Sequence, residues 1–176
     1  KKALKEQVRI KEELKKEGEK IIKYAKETQT PTILIVSRPY HIDPLINHKI
    51  PETIASFGIN VLTEDGLDID QSLADVQVLT QWSYPNKMFK AALWAAAQKD
   101  LKLEVIQINS FGCGPDATTS DEIKSILNSY GKNPTLIKVD EISSPGSIRL
   151  RIRSMIESMK MKGDFIYREK PRQSWA

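Results

Sequence analysis

The feature that most constrains the fold of this chain is an alternation of short, β-branched apolar runs with longer helix-forming segments. The first of these runs, Thr32–Ser37, has the continuous apolar character of a strand covered on both faces. The runs are Thr32–Ser37, Ile59–Thr63, Leu103–Asn109 and Pro134–Val139. Strands that alternate with helices predict a parallel sheet with right-handed crossovers. We expect a three-layer, flavodoxin-like or Rossmann-like α/β domain with four strands or slightly more, in the order 2-1-3-4.

The segments that follow the strands predict four helices. They are Pro44–Phe57, Ser83–Asp100, Asp116–Tyr130 and Ser144–Lys162. Asp43 before Pro44 matches a helix N-cap followed by proline at the first helical position. Pro51 is expected to restart this helix, and Gly58 to end it. In the last helix the apolar residues have helical spacing and predict one buried face.

Composition divides the chain into three parts. Residues 1–30 are rich in strong helix formers and predict a solvent-exposed helical extension or linker, with Gly18 as a candidate break. Residues 31–162 carry the strand–helix alternation and predict the α/β domain. Residues 163–176 are polar with late aromatic residues and predict a tail or an edge strand. Because the first residue is Lys1 rather than Met, we expect the sequence to be part of a longer polypeptide.

The distribution of charge argues against a nucleic-acid partner. Residues 1–26 carry a net charge of +5, and the other 150 residues carry −1. A nucleic-acid-binding domain normally carries its basic patch on the folded body. We also expect no membrane partner, because no apolar run approaches the roughly 20 residues of a membrane span. The single cysteine fits a reducing compartment, and we expect a cytoplasmic protein.

The candidate site lies at the carboxyl ends of the predicted strands, where open α/β sheets bind their ligands. The segments that follow the strands are Ser37–Pro44, Thr63–Asp68, Asn109–Asp116 and Asp140–Ser147. They are also the segments most enriched in Gly, Pro, Asp and Ser. We expect them to converge at one edge of the sheet.

Cys113 is the candidate metal ligand at this edge. It follows the third strand, lies between two glycines and precedes a predicted helix start. Glycine permits close approach of a ligand, and the positive end of a helix favours a thiolate. The alternative is a small buried thiol that fills a pocket at the strand end. The candidate cofactor-binding residues are Gly112, Gly114, Asp116 and Ser147.

Arg38 and His41 are the candidate catalytic residues. In the loop after the first strand they could bind an anion or transfer a proton. The alternative is that Arg38 pairs with an acidic neighbour such as Asp65 or Asp140, and that His41 is an ordinary polar loop residue. His48 falls in a predicted helix and is interpreted as a surface or packing residue.

Other polar and aromatic groups carry weaker signals. The acidic side chains of residues 64–70 do not have the spacing of an EF-hand and are interpreted as a solvated loop. Trp82, Tyr84 and Pro85 could form a ligand wall, or they could close the core. The sequence contains no dinucleotide fingerprint, P-loop, GxSxG, HExxH or CxxC motif.

Four segments together resemble a known family. They are SRPYHIDPLINHKIPE, LTQWSYPNKMFKAALW, NSFGCGPDA and DEISSPGSIRLRIRSMIE. This combination is similar to the later part of large proteins related to the CoA-substrate-specific enzyme activases and the 2-hydroxyacyl-CoA dehydratases. The resemblance covers roughly residues 31–162, while the lysine-rich N-terminus and the tail carry little family signal.

The resemblance implies a Rossmann-like module that contributes to an iron–sulfur site. Cys113 would be one thiolate of a [4Fe–4S] cluster, and its glycine neighbours would leave room for the cluster. Since a cluster needs about four thiolates, this chain cannot form one alone. The implied partners are other domains of the same long chain, an activase ATPase module and an acyl-CoA substrate, in anaerobic metabolism. The alternatives are a non-catalytic module that binds a nucleotide or CoA, or a module for inter-domain docking.

Overall fold

The computed structural model describes residues 2–74, 76–79, 81–140 and 144–161 of the chain. The strands are β1 (Thr32–Val36), β2 (Asn60–Thr63), β3 (Leu103–Ser110) and β4 (Thr135–Val139). The α-helices are α1 (Lys2–Thr28), α2 (Ile50–Ala55), α3 (Ser83–Ala97), α4 (Gly114–Asn128) and α5 (Pro145–Met161). Short 3-10 helices follow β1 at Pro39–Ile42 and β2 at Glu64–Gly66. The predicted tail or edge strand, residues 163–176, lies outside the described residues.

The strands form a parallel sheet in the order β2-β1-β3-β4, which confirms the predicted strand order and fold class. The side chains of β1 alternate between the faces of the sheet. Leu34 and Val36 enter the core that α1, α3 and α4 cover, while Ile33 and Ile35 enter the core beneath α2 and α5. Because both faces are covered, every position of the strand is buried, and this explains the continuous apolar run that follows Thr32.

The prediction of helical character over residues 44–57 is wrong for the first part of the segment and correct for the part that restarts near Pro51. After the 3-10 helix the chain makes turns, and α-helix forms only at Ile50–Ala55. His48 and Lys49 adopt left-handed backbone angles, with φ of 52° and 58°. Asn47 favours this turn because its side chain accepts from the Lys49 N–H at 2.8 Å and donates to the His41 carbonyl at 2.9 Å. Asp43 therefore caps a single turn rather than a helix.

Helix α1 is continuous through Gly18, where a break was a candidate. Its first half is exposed to solvent, but Gly18 and Ala25 are buried. Gly18 lies directly against Gly66 at the end of β2, and a Cβ on Gly18 would lie 1.7 Å from the Gly66 carbonyl oxygen. An ion pair of 2.5 Å between Lys15 and Asp68 lies next to this contact. The second half of α1 is therefore a packed part of the α/β structure.

Candidate functional site

The loops that follow β1, β2 and β3 meet at one edge of the sheet, which we call the carboxyl edge. An ion pair between Arg38, after β1, and Asp116, in the first turn of α4, joins two of these loops. The side chain of Asp116 is 2% exposed and that of Arg38 is 20% exposed. The structure therefore pairs Arg38 with an acidic neighbour, as the alternative interpretation expected, but the partner is Asp116 rather than Asp65 or Asp140.

Asp116 connects three elements of the carboxyl edge. Its carboxylate accepts from Arg38 and, at 3.1 Å, from the backbone N–H of Ser110 at the end of β3. Its backbone carbonyl accepts from Asn109 at 3.2 Å and from the Ser120 hydroxyl at 2.7 Å. Because these contacts occupy both carboxylate oxygens, Asp116 is a positioning residue for the loop between β3 and α4. Its role in cofactor binding stays a prediction.

His41 is buried at the same edge. The Arg38 backbone N–H donates to its Nδ1 at 3.3 Å, so the neutral ring carries its proton on Nε2, which lies 3.2 Å from the Ser110 hydroxyl. That hydroxyl also lies 3.0 Å from the hydroxyl of Tyr40, an exposed residue. Burial lowers the pKa of His41, against the opposing charge of Asp116. The arrangement connects the Nε2–H of a neutral, buried imidazole to the surface through two hydroxyl groups.

Cys113 lies at the start of α4, where it is the N-cap residue and is partly exposed. Gly112 has a φ of +69°, a left-handed conformation that glycine adopts without strain. Among the described residues, no heavy atom beyond the immediate chain neighbours lies within 4 Å of a Cβ position on Gly112 or Gly114. Space is therefore left beside the backbone on both sides of Cys113, and the exposed-thiolate interpretation stays a prediction.

Ser147 is separate from the network of Arg38, His41 and Asp116. It lies in the first turn of α5, and its hydroxyl donates to the Ser144 carbonyl at 2.8 Å. The structure thus brings together three of the predicted site residues through hydrogen bonds and places Cys113 on the loop that they hold. The role of Ser147 stays a prediction.

A cleft of about 490 Å³ opens beside the Arg38–Asp116 pair. Its walls include Arg38, Trp82, Tyr84 and Pro115. Trp82, Tyr84 and Pro85 all line this cleft, and Trp82 and Tyr84 are half exposed while Pro85 is largely buried. A larger cleft of about 870 Å³ lies at the opposite edge of the sheet, and none of the predicted site residues lines it. The carboxyl edge remains the better candidate because it combines a cleft with charged and titratable groups.

Glu64 is a residue that sequence reasoning missed. The acidic segment after β2 was interpreted as a solvated loop, yet Glu64 is only 7% exposed and accepts from the Ser37 backbone N–H at 3.3 Å. Its neighbours form ion pairs, Asp65 with Lys87 and Asp68 with Lys15. The Glu64 carboxylate lies against the end of β1, 27 residues earlier in the chain, and no local pattern in the sequence signals that contact.

Burial raises the pKa of Glu64 to about 7, from an ordinary value of 4.5. The folded protein therefore binds this proton more tightly than the unfolded chain does. The stability that protonated Glu64 contributes is complete below pH 4.5 and is lost as the pH rises through about 7. Between pH 4.5 and about 7, we expect the free energy of unfolding of wild type to fall by on the order of 3 kcal/mol relative to that of Glu64→Gln. Urea denaturation at a series of pH values measures this difference.

Glu12→Gln is the matched control for this prediction, because Glu12 is exposed on α1. Its free energy of unfolding should follow the wild-type pH profile. A constant difference between wild type and Glu64→Gln at every pH would show that Glu64 does not change its ionisation on folding.

The described residues also bear on metals and membranes. Among them, no group of three or more His, Cys, Asp and Glu residues is placed to hold a metal ion. Cys113 is the single cysteine of the sequence. The chain could therefore supply one cysteine ligand of an iron–sulfur cluster and not a complete set. None of the helices in the described ranges is both long and apolar enough to cross a membrane.

Comparison with known proteins relates one part of the chain to a family. Residues 1–67 match the family model described as "CoA enzyme activase uncharacterised domain". The search of curated proteins and the search of solved structures found no match. The family match confirms the predicted resemblance to activase-related proteins. It includes α1, which was expected to carry little family signal, and it contains Arg38 and His41 but ends before Cys113.

Proposed function

We propose that this chain, which carries a CoA enzyme activase-related domain at residues 1–67, is a domain of a larger activase- or 2-hydroxyacyl-CoA dehydratase-related protein. In that protein Cys113 supplies one ligand of a [4Fe–4S] cluster, and segments outside this chain supply the others. The observation that carries the proposal is the position of the chain's single cysteine, partly exposed beside open space at the carboxyl edge. A bound cluster would supply one-electron transfer at low potential, driven by ATP hydrolysis in an activase module.

The residues around Cys113 have separable roles in this proposal. Gly112 and Gly114 leave space next to the thiol for a bulky group. Asp116 holds the loop through Arg38 and the Ser110 N–H, and this fixes the start of α4. The peptide N–H groups at a helix start favour an anionic sulfur. Together these residues present one preorganised thiolate to a partner segment.

The test is an anaerobic iron and sulfide analysis of the full-length parent protein, with its visible spectrum. Cys113→Ser should lower the iron content severalfold and reduce the charge-transfer absorption. Loss of a direct ligand should have at least the effect of outer-shell substitutions, which typically lower metal affinity about 10- to 100-fold. Circular dichroism of the variant establishes that its fold is retained.

Thr118→Ala is the matched control, because Thr118 is an exposed residue of α4, five positions after Cys113, and lies outside the apolar surface of the carboxyl edge. Its iron content should equal that of wild type. Equal iron content in wild type and Cys113→Ser would assign the thiol a structural role and overturn the proposal.

The cleft beside Arg38 favours a second candidate function, the binding of a nucleotide or CoA without chemistry. A guanidinium and two half-exposed aromatic side chains, Trp82 and Tyr84, line this cleft. Such groups can bind a phosphate and stack on a planar ring. Thermal stabilisation by CoA that requires Arg38 and not Cys113 would favour this function over the cluster.

Exposed apolar side chains at the carboxyl edge favour contact with other domains of the parent protein. They lie in the loops that follow β1 and β3 and around the start of α3: Tyr40, Ile42, Leu45, Ile46, Trp82, Tyr84 and Phe111. Concentrated apolar surface on one edge is typical of an interaction site. Docking at this edge is compatible with the proposed cluster, because the other ligands would approach Cys113 from the same side.

A further inference from the structure

A groove between α2 and α5 lies on the face of the sheet opposite α1 and α3. It has a volume of about 630 Å³, and its lining includes three cationic side chains, Lys49, Arg149 and Arg153. Glu52 is the single carboxylate among the lining residues. The groove takes no part in the network of Arg38 and Asp116. Its volume lies within the range of about 300 to 1,000 Å³ that is usual for small-molecule sites.

The two arginines of the groove lie one turn apart on the same side of α5. The Arg153 guanidinium lies over the ring of Phe57, with its central carbon 5.9 Å from the ring centroid. Glu157, one turn further along α5, pairs with Lys160 at 2.7 Å instead of with Arg153. Within the described ranges no ion pair engages Arg149 or Arg153. The guanidinium groups are thus available to a ligand.

Lys49 reaches the groove from a strained turn. Its backbone and that of His48 are left-handed, and consecutive residues other than glycine adopt this conformation at a cost. The buried side chain of Asn47 holds the turn through the Lys49 N–H and the His41 carbonyl. Contacts with the surrounding structure hold such a strained conformation in place. Here the strained turn includes Lys49, which lines the groove.

We propose that this groove binds a phosphate-bearing small molecule. Lys49, Arg149 and Arg153 would contact its phosphate groups, since guanidinium matches phosphate geometry with two parallel hydrogen bonds. Phe57 and the exposed Leu150 provide an apolar wall for the organic part of the ligand. The charge of the groove is local, because the chain after residue 26 carries a net charge of −1.

The test is isothermal titration calorimetry of the 176-residue chain with inorganic diphosphate at constant ionic strength. Arg149→Gln/Arg153→Gln should weaken binding at least about tenfold, because it removes two charge-assisted contacts. Arg151→Gln is the control, because it removes one positive charge from the same helix. Arg151 lies between them on α5, is exposed and does not line the groove. The affinity of the Arg151→Gln variant for diphosphate should stay within about twofold of the wild-type value.

Three results would overturn the proposal. One is the absence of binding heat in wild type, and another is an unchanged affinity in the double variant. The third is a loss of binding free energy in Arg151→Gln that equals the loss per removed charge in the double variant. That result would assign binding to the general positive charge of the helix. If an acidic peptide binds and diphosphate does not, the groove is a protein-docking site instead.

Discussion

Gly18→Ala should destabilise the protein by about 3 kcal/mol, although alanine is the better helix former by about 1 kcal/mol. The reason is the contact between α1 and the end of β2, where the new Cβ would lie 1.7 Å from the Gly66 carbonyl oxygen. Backbone atoms on both sides must separate, and Ala25 then loses its burial. Urea denaturation measures the effect, and in a thermal melt it corresponds to roughly 6 to 12 °C.

Gly66→Ala is the matched control because it adds the same methyl group to the other side of the same contact. Its Cβ would approach Gly18 Cα at 3.5 Å and the Leu14 carbonyl oxygen at 3.6 Å, which are ordinary distances. We expect a change of less than about 1 kcal/mol in this variant. Stabilisation by Gly18→Ala would mean that α1 does not pack against the sheet in solution.

Asp116→Ala should have an effect of similar size, about 3 to 4 kcal/mol, because removing one partner of a buried ion pair leaves the other without compensation. The substitution also removes the acceptor of the Ser110 N–H. The loop that carries Cys113 should become more mobile, so the thiol should react faster with a thiol reagent. Chemical denaturation and the rate of thiol modification measure the two effects.

Asp121→Asn is the control, since Asp121 is an exposed residue of the same helix. It should change the free energy of unfolding by less than about 0.5 kcal/mol. A double-mutant cycle that combines Asp116→Ala with Arg38→Gln measures the interaction free energy of the Arg38–Asp116 pair. The loss of unfolding free energy in the double variant should be smaller than the sum of the losses in the two single variants. Additive losses would show that Arg38 and Asp116 stabilise the protein independently.

Much of the fold follows from local sequence patterns. The strands of the described sheet were predicted within one residue, because each of them is a short run rich in apolar and β-branched residues. The strand order also agreed with the prediction. Residues 44–49 form turns instead of the predicted helix, because the Asn47 side chain makes hydrogen bonds with the backbone that compete with helix formation. The Asp43-Pro44 pattern of a helix start does not predict this competition.

The candidate site was predictable in its location and less so in its contacts. The rule for the carboxyl ends of parallel strands correctly brought Arg38, His41 and Asp116 to one edge. It did not identify the partner of Arg38, which lies 78 residues away. Ser110, which connects His41 to Tyr40, was likewise missed, because a serine at a strand end carries no distinguishing pattern.

The sequence by itself determined what depends on neighbours along the chain: the strands, most of the helices, the parallel order and the edge where the loops meet. Only the tertiary structure decided which distant groups touch. It placed Gly18 against Gly66, buried Glu64 against the end of β1 and paired Arg38 with Asp116. Periodicity reports which face of an element is apolar, whereas such pairings depend on the angle and register at which packed elements meet.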